Sequence, residues 1–200
     1  MGQYALIIDG KRIDSTPKTF KVLNPADESV VAEVPEGTVE LLDKAVAAAR
    51  KALPGWSAQS SEARAAKLME IADLLEKNQA ELAQLITKEQ GKPLGGLGSN
   101  FEVGGAAAWT RVTASLNLPE ETIQDDKQGK ILLRRKPVGV VGSITPWNWP
   151  MIIAVWHIMP AIRIGCTVVI KPSPYTPLST LRMVELMNTV LPPGVINVVT

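Results

Sequence analysis

The sequence predicts an α/β protein: an extended and helical front part over residues 1–130, then, over 131–200, the start of a doubly wound parallel sheet. Three observations carry this. Short extended runs broken by turn residues open the chain. From Thr38 onward apolar residues recur at three-and-four spacing, the period of an amphipathic helix. After residue 130, apolar β-branched runs alternate with helical stretches, and that alternation implies right-handed crossovers and parallel pairing.

Each element has a local cause. The runs 4–8 and Lys11–Ile13 are joined by Asp9-Gly10, a hairpin signal because glycine takes the positive φ such turns need. Thr19–Leu23 is a third extended run. Thr38 is placed to cap a first helix with Leu41, Leu42, Ala45, Val46 and Ala49 on one face, ending at Pro54-Gly55. A second helix follows Ser60-Ser61 and carries Ala65, Leu68, Ile71, Ala72 and Leu75 at helical spacing. Asn78 with Glu81 reads as a reciprocal cap for a third, which Gly91-Lys92-Pro93 stops. Ser99 with Glu102 reads as a capping box for a fourth, running toward Leu116. Residues 117–130, polar and acidic, read as loop. The runs 131–135 and 138–144 read as strands, 151–165 as a helix, Thr167–Lys171 as a buried strand, 178–191 as an amphipathic helix and 195–199 as another buried strand. The remaining strands of the sheet are expected beyond Thr200, leaving a face or an edge uncovered.

Bulk properties exclude several classes. The 200 residues are 46% hydrophobic and 20% charged with net charge +1, a globular composition with no basic stripe for nucleic acid. Cys166 is the single cysteine, so no internal disulfide forms and a reducing, cytoplasmic setting is expected. The chain start lacks the Ser or Thr that a myristoylation signal carries at its sixth position, and the run 4–8 is too short for a signal-peptide core. The most membrane-like stretch, 138–170, is broken by Pro146, Pro150 and Pro160 and carries Asn148, His157 and Arg163. A spanning helix needs about 20 nearly uninterrupted apolar residues, so no membrane partner is expected and this stretch reads as core.

Several tempting features are decoys. Gly95-Gly96-Leu97-Gly98 begins a dinucleotide pattern, but Phe101 stands where the third glycine belongs and a helix, not a strand, precedes it. Gly91-Lys92 lacks the upstream glycine of a P-loop. His157 is the only histidine, which rules out a histidine-rich metal site; it is expected as a packed, hydrogen-bonded helix residue. Trp109, Trp147, Trp149 and Trp156 are expected in the core. Cys166 precedes the strand Thr167–Lys171 and so lies at its amino end, whereas ligands of open parallel sheets bind at the carboxyl ends.

Two segments do stand at carboxyl ends. Ile144-Thr145-Pro146-Trp147-Asn148-Trp149-Pro150 is a turn stiffened by two prolines, the second suited to be a first helical residue. It presents one amide side chain, Asn148, as a pre-placed donor for a developing oxyanion, or else as a cap for the following helix. Val168-Val169-Ile170-Lys171-Pro172-Ser173-Pro174 ends a buried strand in a lysine, placing an ammonium group at the ligand edge.

Taken together, the run from Lys136 to Pro150 and the segment 165–177 at its expected separation closely resemble the aldehyde dehydrogenase family. Residues 61–75, Glu89-Gln90-Gly91-Lys92-Pro93 and Leu191-Pro192-Pro193-Gly194-Val195-Ile196-Asn197 extend the resemblance over essentially the whole chain. The resemblance implies a Rossmann-like cofactor domain for NAD or NADP. It implies oxidation of a small-molecule aldehyde to an acid by way of a thiohemiacetal on a catalytic cysteine, hydride transfer to nicotinamide and thioester hydrolysis. Asn148 matches the oxyanion-binding asparagine. Lys171 matches the lysine that holds the adenosine ribose, with Pro172, Ser173 and Pro174 following it. Ile144, Thr145, Pro146 and Trp147 match the wall and main-chain contacts along the cofactor.

The chain also departs from the family pattern. Pro174 replaces a glutamate that many NAD-using members direct at the ribose, which leaves NADP open. His157 stands where a lysine is usual. The second cofactor loop, general-base glutamate, catalytic cysteine and oligomerisation hairpin are expected after Thr200. The 200 residues are therefore expected to be inactive alone, while the full-length form is expected to be a homo-oligomer. A non-catalytic nucleotide-binding module derived from the family is the alternative.

Overall fold

The computed structural model describes residues 4–200; part of the chain start tested for a lipidation signal lies outside them. The expected front hairpin forms. β1 (Leu6–Ile8) and β2 (Lys11–Ile13) pair antiparallel around Asp9 (φ 53°) and Gly10 (φ 71°), the pair of positive φ values that a tight hairpin needs. β3 (Thr19–Leu23) pairs with β4 (Val30–Pro35), a strand that the sequence reading missed.

Three strands of the last third form the expected parallel ladder: β7 (Val140–Ile144), β8 (Thr167–Lys171) and β9 (Ile196–Val198), with β8 in the middle. The front hairpin adds to the same sheet, β1 lying antiparallel on β9, so the order is β2-β1-β9-β8-β7. The edge beyond 195–199 is thus covered by the chain's own beginning. Asn197 fastens this junction. Its side-chain oxygen accepts the Asp9 N–H at 2.9 Å, and its amide donates to the Gly194 carbonyl at 2.9 Å.

α1 (Val39–Ser57) covers one face of the sheet, where Val169 and Val199 meet Ala45, Ala48 and Ala49. On the other face Val168, Ile170, Ile196 and Val198 meet α5 (Pro150–Arg163) and α6 (Leu178–Met187). Val168, Val169 and Ile170 alternate between the two cores, the period-two signature of a strand buried on both sides. Each such aliphatic side chain contributes about 1.5–3 kcal/mol through burial. A second helical layer, α2 (Ser61–Lys77), α3 (Gln79–Gln90) and α4 (Ser99–Ser115), packs on α5 and α6.

The local signals hold in part. Thr38 caps α1 and Ser60 caps α2 through their side-chain oxygens, at 3.3 and 3.1 Å. Pro54 does not stop α1, which runs on to Ser57. The buried Trp56 anchors that last turn by donating from Nε1 to the Ile162 carbonyl at 3.0 Å. Asn78 does not cap α3; its amide donates back to the Leu74 carbonyl at 2.7 Å. The Ser99/Glu102 box does not form either, because Ser99 pairs with Thr87 at 2.8 Å and Glu102 turns toward another helix. Gly91 (φ 85°) does end α3. α6 ends at Met187, four residues short of 191, where the Asn188 amide ties the Val184 and Ile196 carbonyls.

Two corrections are larger. Residues 117–130 are not simply loop: β5 (Glu121–Asp126) and β6 (Gly129–Leu133) form a ribbon, exposed along nearly all its length, that straddles the 130/131 boundary. Of the tryptophans expected inside, Trp109 and Trp156 form an edge-to-face pair at the surface, Trp147 is more than half exposed and Trp149 half-buried. Trp56 is the one in the core.

Candidate functional site at the strand ends

Strand register brings the two proline-bounded turns together. Ile144 lies opposite Lys171, and Thr145 N–H donates to the Lys171 carbonyl at 3.1 Å, so the ladder continues one residue past β7 before the turn begins. Ile144, Pro146, Trp147 and Asn148 are exposed. Thr145 is buried, and its hydroxyl has no hydrogen-bond partner among the described residues. On the neighbouring strand Pro172 and Ser173 are buried while Lys171 and Pro174 are exposed. The Lys171 ammonium donates to the Pro172 carbonyl at 3.2 Å and otherwise faces out.

Four of the candidate site residues line two separate clefts, and Thr145, Pro146, Asn148, Pro172 and Ser173 line neither. Ile144 and Lys171 line one of about 530 Å³ with Val39, Leu42 and Arg50 of α1. Trp147 and Pro174 line another of about 760 Å³ with Asn24, Pro25, Glu28 and Tyr175. Both volumes lie within the range of small-molecule and cofactor sites. A third cleft, of about 370 Å³, lies by Arg64, Lys136 and Arg163, next to residues that lead into the amino ends of β7 and β8.

Asn148 does not cap α5. Pro150 opens that helix as expected and Trp149 is its N-cap residue, without a side-chain cap bond. The free N–H groups of the first turn go instead to Glu102 of α4, whose Oε1 accepts from Met151 at 2.8 Å and Ile152 at 3.2 Å. A carboxylate at a helix N-terminus complements both the unpaired donors and the dipole. Glu102 is fully buried, and its other oxygen pairs with the Lys92 ammonium at 2.7 Å. Lys92 also donates to the Asn148 carbonyl at 3.1 Å and sits 3.7 Å from the centre of the Trp149 ring. The Asn148 side-chain amide has no hydrogen-bond partner among the described residues and is exposed.

α6 is served in the same way. Glu89, from the last turn of α3, accepts from Leu178 N–H at 2.6 Å and Ser179 N–H at 3.0 Å. Burial pushes its carboxyl up to about 7, against hydrogen bonds from Ser179 and Leu178 that favour the charged form. Lys92, Glu102 and Glu89 were not singled out as site residues in the sequence. Their contacts span 10 to 90 residues, and the one local hint, Ser99-x-x-Glu102, pointed to the wrong helix.

Two of the decoys fall where expected. Cys166 is buried at the amino end of β8, and Gly95-Gly96-Leu97-Gly98 is a loop between helices. There a Cβ on Gly98 would lie 1.8 Å from the Pro93 carbonyl oxygen, so the loop closes only around a glycine. His157 is exposed rather than packed away, with Nδ1 2.9 Å from the Ser143 hydroxyl. Among the described residues no cluster of acidic, histidine or cysteine side chains is arranged to hold a metal, and no helix is long and apolar enough to cross a membrane.

Comparison with known proteins places this geometry. Residues 12–200 match the model of the aldehyde dehydrogenase family. The chain is 39% identical to a phenylacetaldehyde dehydrogenase of Pseudomonas fluorescens over 98% of its own length and 41% of that protein's. It superposes on the NAD+ complex of an aldehyde dehydrogenase from Bacillus cereus with a TM-score of 0.93 at 36% identity, covering 98% of this chain and 41% of that one. It superposes on an NADP-dependent enzyme of E. coli with a TM-score of 0.94 at 33% identity, covering 100% and 42%. The chain thus spans about two fifths of the length of these relatives. With the family model matched over residues 12–200, the chain belongs to the aldehyde dehydrogenase family.

Proposed function

We propose that the complete protein is an aldehyde oxidoreductase that uses NAD or NADP, works in the cytoplasm as a homo-oligomer, and forms its cofactor and oxyanion sites on the two turns described above. The observation that carries this reading is the free side-chain amide of Asn148. Glu102 takes over the capping of α5, which leaves Asn148 an exposed donor on a turn bounded by prolines. A donor held in place before charge develops stabilises an oxyanion without reorganisation.

The strand ends fit a dinucleotide. Lys171 extends an exposed ammonium suited to sugar hydroxyls, and Thr145 keeps a buried hydroxyl with no partner among the described residues. Ile144, Pro146 and Trp147 offer an apolar wall, with Pro172, Ser173 and Pro174 closing the turn after Lys171. The cofactor supplies a two-electron acceptor when bound. The chain's own residues bind, orient and stabilise charge. Cys166 is unsuited as nucleophile, being buried at the far end of β8. The 200 residues alone are therefore inactive. Homo-oligomer formation is supported by the exposed ribbon β5–β6, which carries Ile123, Ile131 and Leu133 on its surface.

The test is steady-state kinetics of the complete protein with an aldehyde and either cofactor. Turnover is expected, and Asn148→Ala should lower kcat by about two to three orders of magnitude, the usual cost of one such donor, with little change in cofactor affinity. Activity kept within a few-fold would leave Asn148 without that role. No turnover by the complete protein would favour a non-catalytic nucleotide-binding module.

A further inference from the structure

We propose that Lys92 and Glu102 form a positioning pair that sets the orientation of the Asn148 turn, and that they act on catalysis only through Asn148. The inference rests on the oxyanion reading of Asn148.

The pair reaches the turn at four points. Glu102 Oε1 takes the N–H groups of Met151 and Ile152, which fixes where α5 begins. Glu102 Oε2 holds Lys92, whose ammonium donates to the backbone carbonyl of Asn148 itself. The same ammonium covers the face of Trp149, the next residue. The Asn148 carbonyl is therefore held by the ammonium, and the start of α5 just after it by the carboxylate. Among the described residues the Asn148 amide has no hydrogen-bond partner.

Burial decides the strength of this arrangement. The Glu102 side chain is fully buried and that of Lys92 is 11% exposed. Removing one member of a buried pair leaves the other uncompensated, so neither is dispensable as a surface ion pair would be. The loop that joins them is closed to match. Ser99 N–H donates to the Pro93 carbonyl at 2.8 Å and Gly98 N–H to the Gly95 carbonyl at 3.0 Å, which turns the chain back so that Lys92 and Glu102 meet.

A pair that acts through Asn148 has a distinctive kinetic signature. In the complete protein Lys92→Met should lower kcat by about 10- to 100-fold, while the aldehyde KM and the dissociation constant of the cofactor stay within about threefold. Combined with Asn148→Ala, it should add less than about threefold to the loss that Asn148→Ala causes alone, since coupled residues are not additive. Glu102→Gln keeps an oxygen for Met151 and Ile152 and replaces the one that holds Lys92 by an NH2 group, so both the charge and the acceptor are lost. It should show the same kcat loss in a protein that folds normally. A second readout is free of catalysis: Trp149 emission, isolated by subtracting the spectrum of the Trp149→Phe variant, should shift in Lys92→Met and be largely restored in Lys92→Arg.

Equal losses from Lys92→Met with and without Asn148→Ala would overturn the proposal, as would a change confined to KM or a Trp149 emission that does not move. If instead Asn148→Ala is itself nearly silent, the oxyanion reading fails, and the emission experiment still reports whether Lys92 holds the turn.

Discussion

Glu89 and Ser179, 90 residues apart, are joined twice, since the carboxyl of one accepts both the N–H and the hydroxyl of the other. This contact pins the end of α3 to the start of α6. It also buries a carboxyl group whose proton affinity is raised, which ties stability to pH.

The sign follows from linkage. Burial raises Glu89 from 4.5 to about 7, so over that window the folded state holds more proton than the unfolded one. Its contribution is fully present below the lower value and is lost as pH rises through the upper one. A shift of this size corresponds to about 3 kcal/mol. Urea unfolding of the complete protein should give a stability that declines from about pH 5 to pH 8, with a shallower decline in Glu89→Gln. Parallel curves for the two proteins would contradict this assignment.

Cofactor choice is the second expectation. Pro174 is exposed three residues after Lys171 and offers no carboxylate to repel a 2′-phosphate. The complete protein should therefore turn over with NADP at a detectable rate. Steady-state kinetics with both cofactors measure the ratio. A preference for NAD above about a thousandfold, near 4 kcal/mol, would require a repulsive group elsewhere. Glu28, in the cleft shared by Trp147 and Pro174, would be the first to replace.

Trp56 offers a test of the packing between α1 and α5. Its indole is 1% exposed and donates to the Ile162 carbonyl. Trp56→Phe should cost about 0.5–1.5 kcal/mol, the worth of one hydrogen bond, because the Ile162 carbonyl keeps the Gly165 N–H as a donor. Trp56→Ala should cost about 3–5 kcal/mol through the cavity it leaves. Denaturant midpoints of the two variants decide the matter, and a Phe variant as stable as the parent would mean that the indole bond adds nothing to the one from Gly165.

Much of the fold was legible because its signals are local and periodic. Val168 to Ile170 reads as a buried strand from three consecutive β-branched residues, and Gly91 stops a helix by its own conformation. Strand β6 overlaps the run 131–135 read as a strand, but its partner β5 was hidden because Glu121-Thr122-Ile123-Gln124-Asp125-Asp126 is solvated on both faces and shows no apolar alternation. The tryptophans misled because ring size says nothing about which side of a helix faces the core. Asn148 and Lys171 could be placed from strand ends and prolines. Lys92, Glu102 and Glu89 could not, since each acts on an element that the chain reaches only after a long excursion. Where local and distant demands compete for Glu102, the distant helix wins, because its two free N–H groups are buried or partly buried and need an acceptor.

The filled starts of α5 and α6 change how a dinucleotide can lie here. In a doubly wound sheet the first turn of a helix after a strand is the natural seat for phosphate. Both seats are taken by carboxyl groups of the protein itself, Glu102 on one and Glu89 on the other. A diphosphate approaching either helix meets acid where bare amides would have welcomed it, and is turned outward. A grip near β7 and β8 would then fall on sugar and base, the role proposed for Lys171. A three-glycine phosphate loop would have nothing to hold between β7 and α5, and two prolines with a free amide can stand in its place.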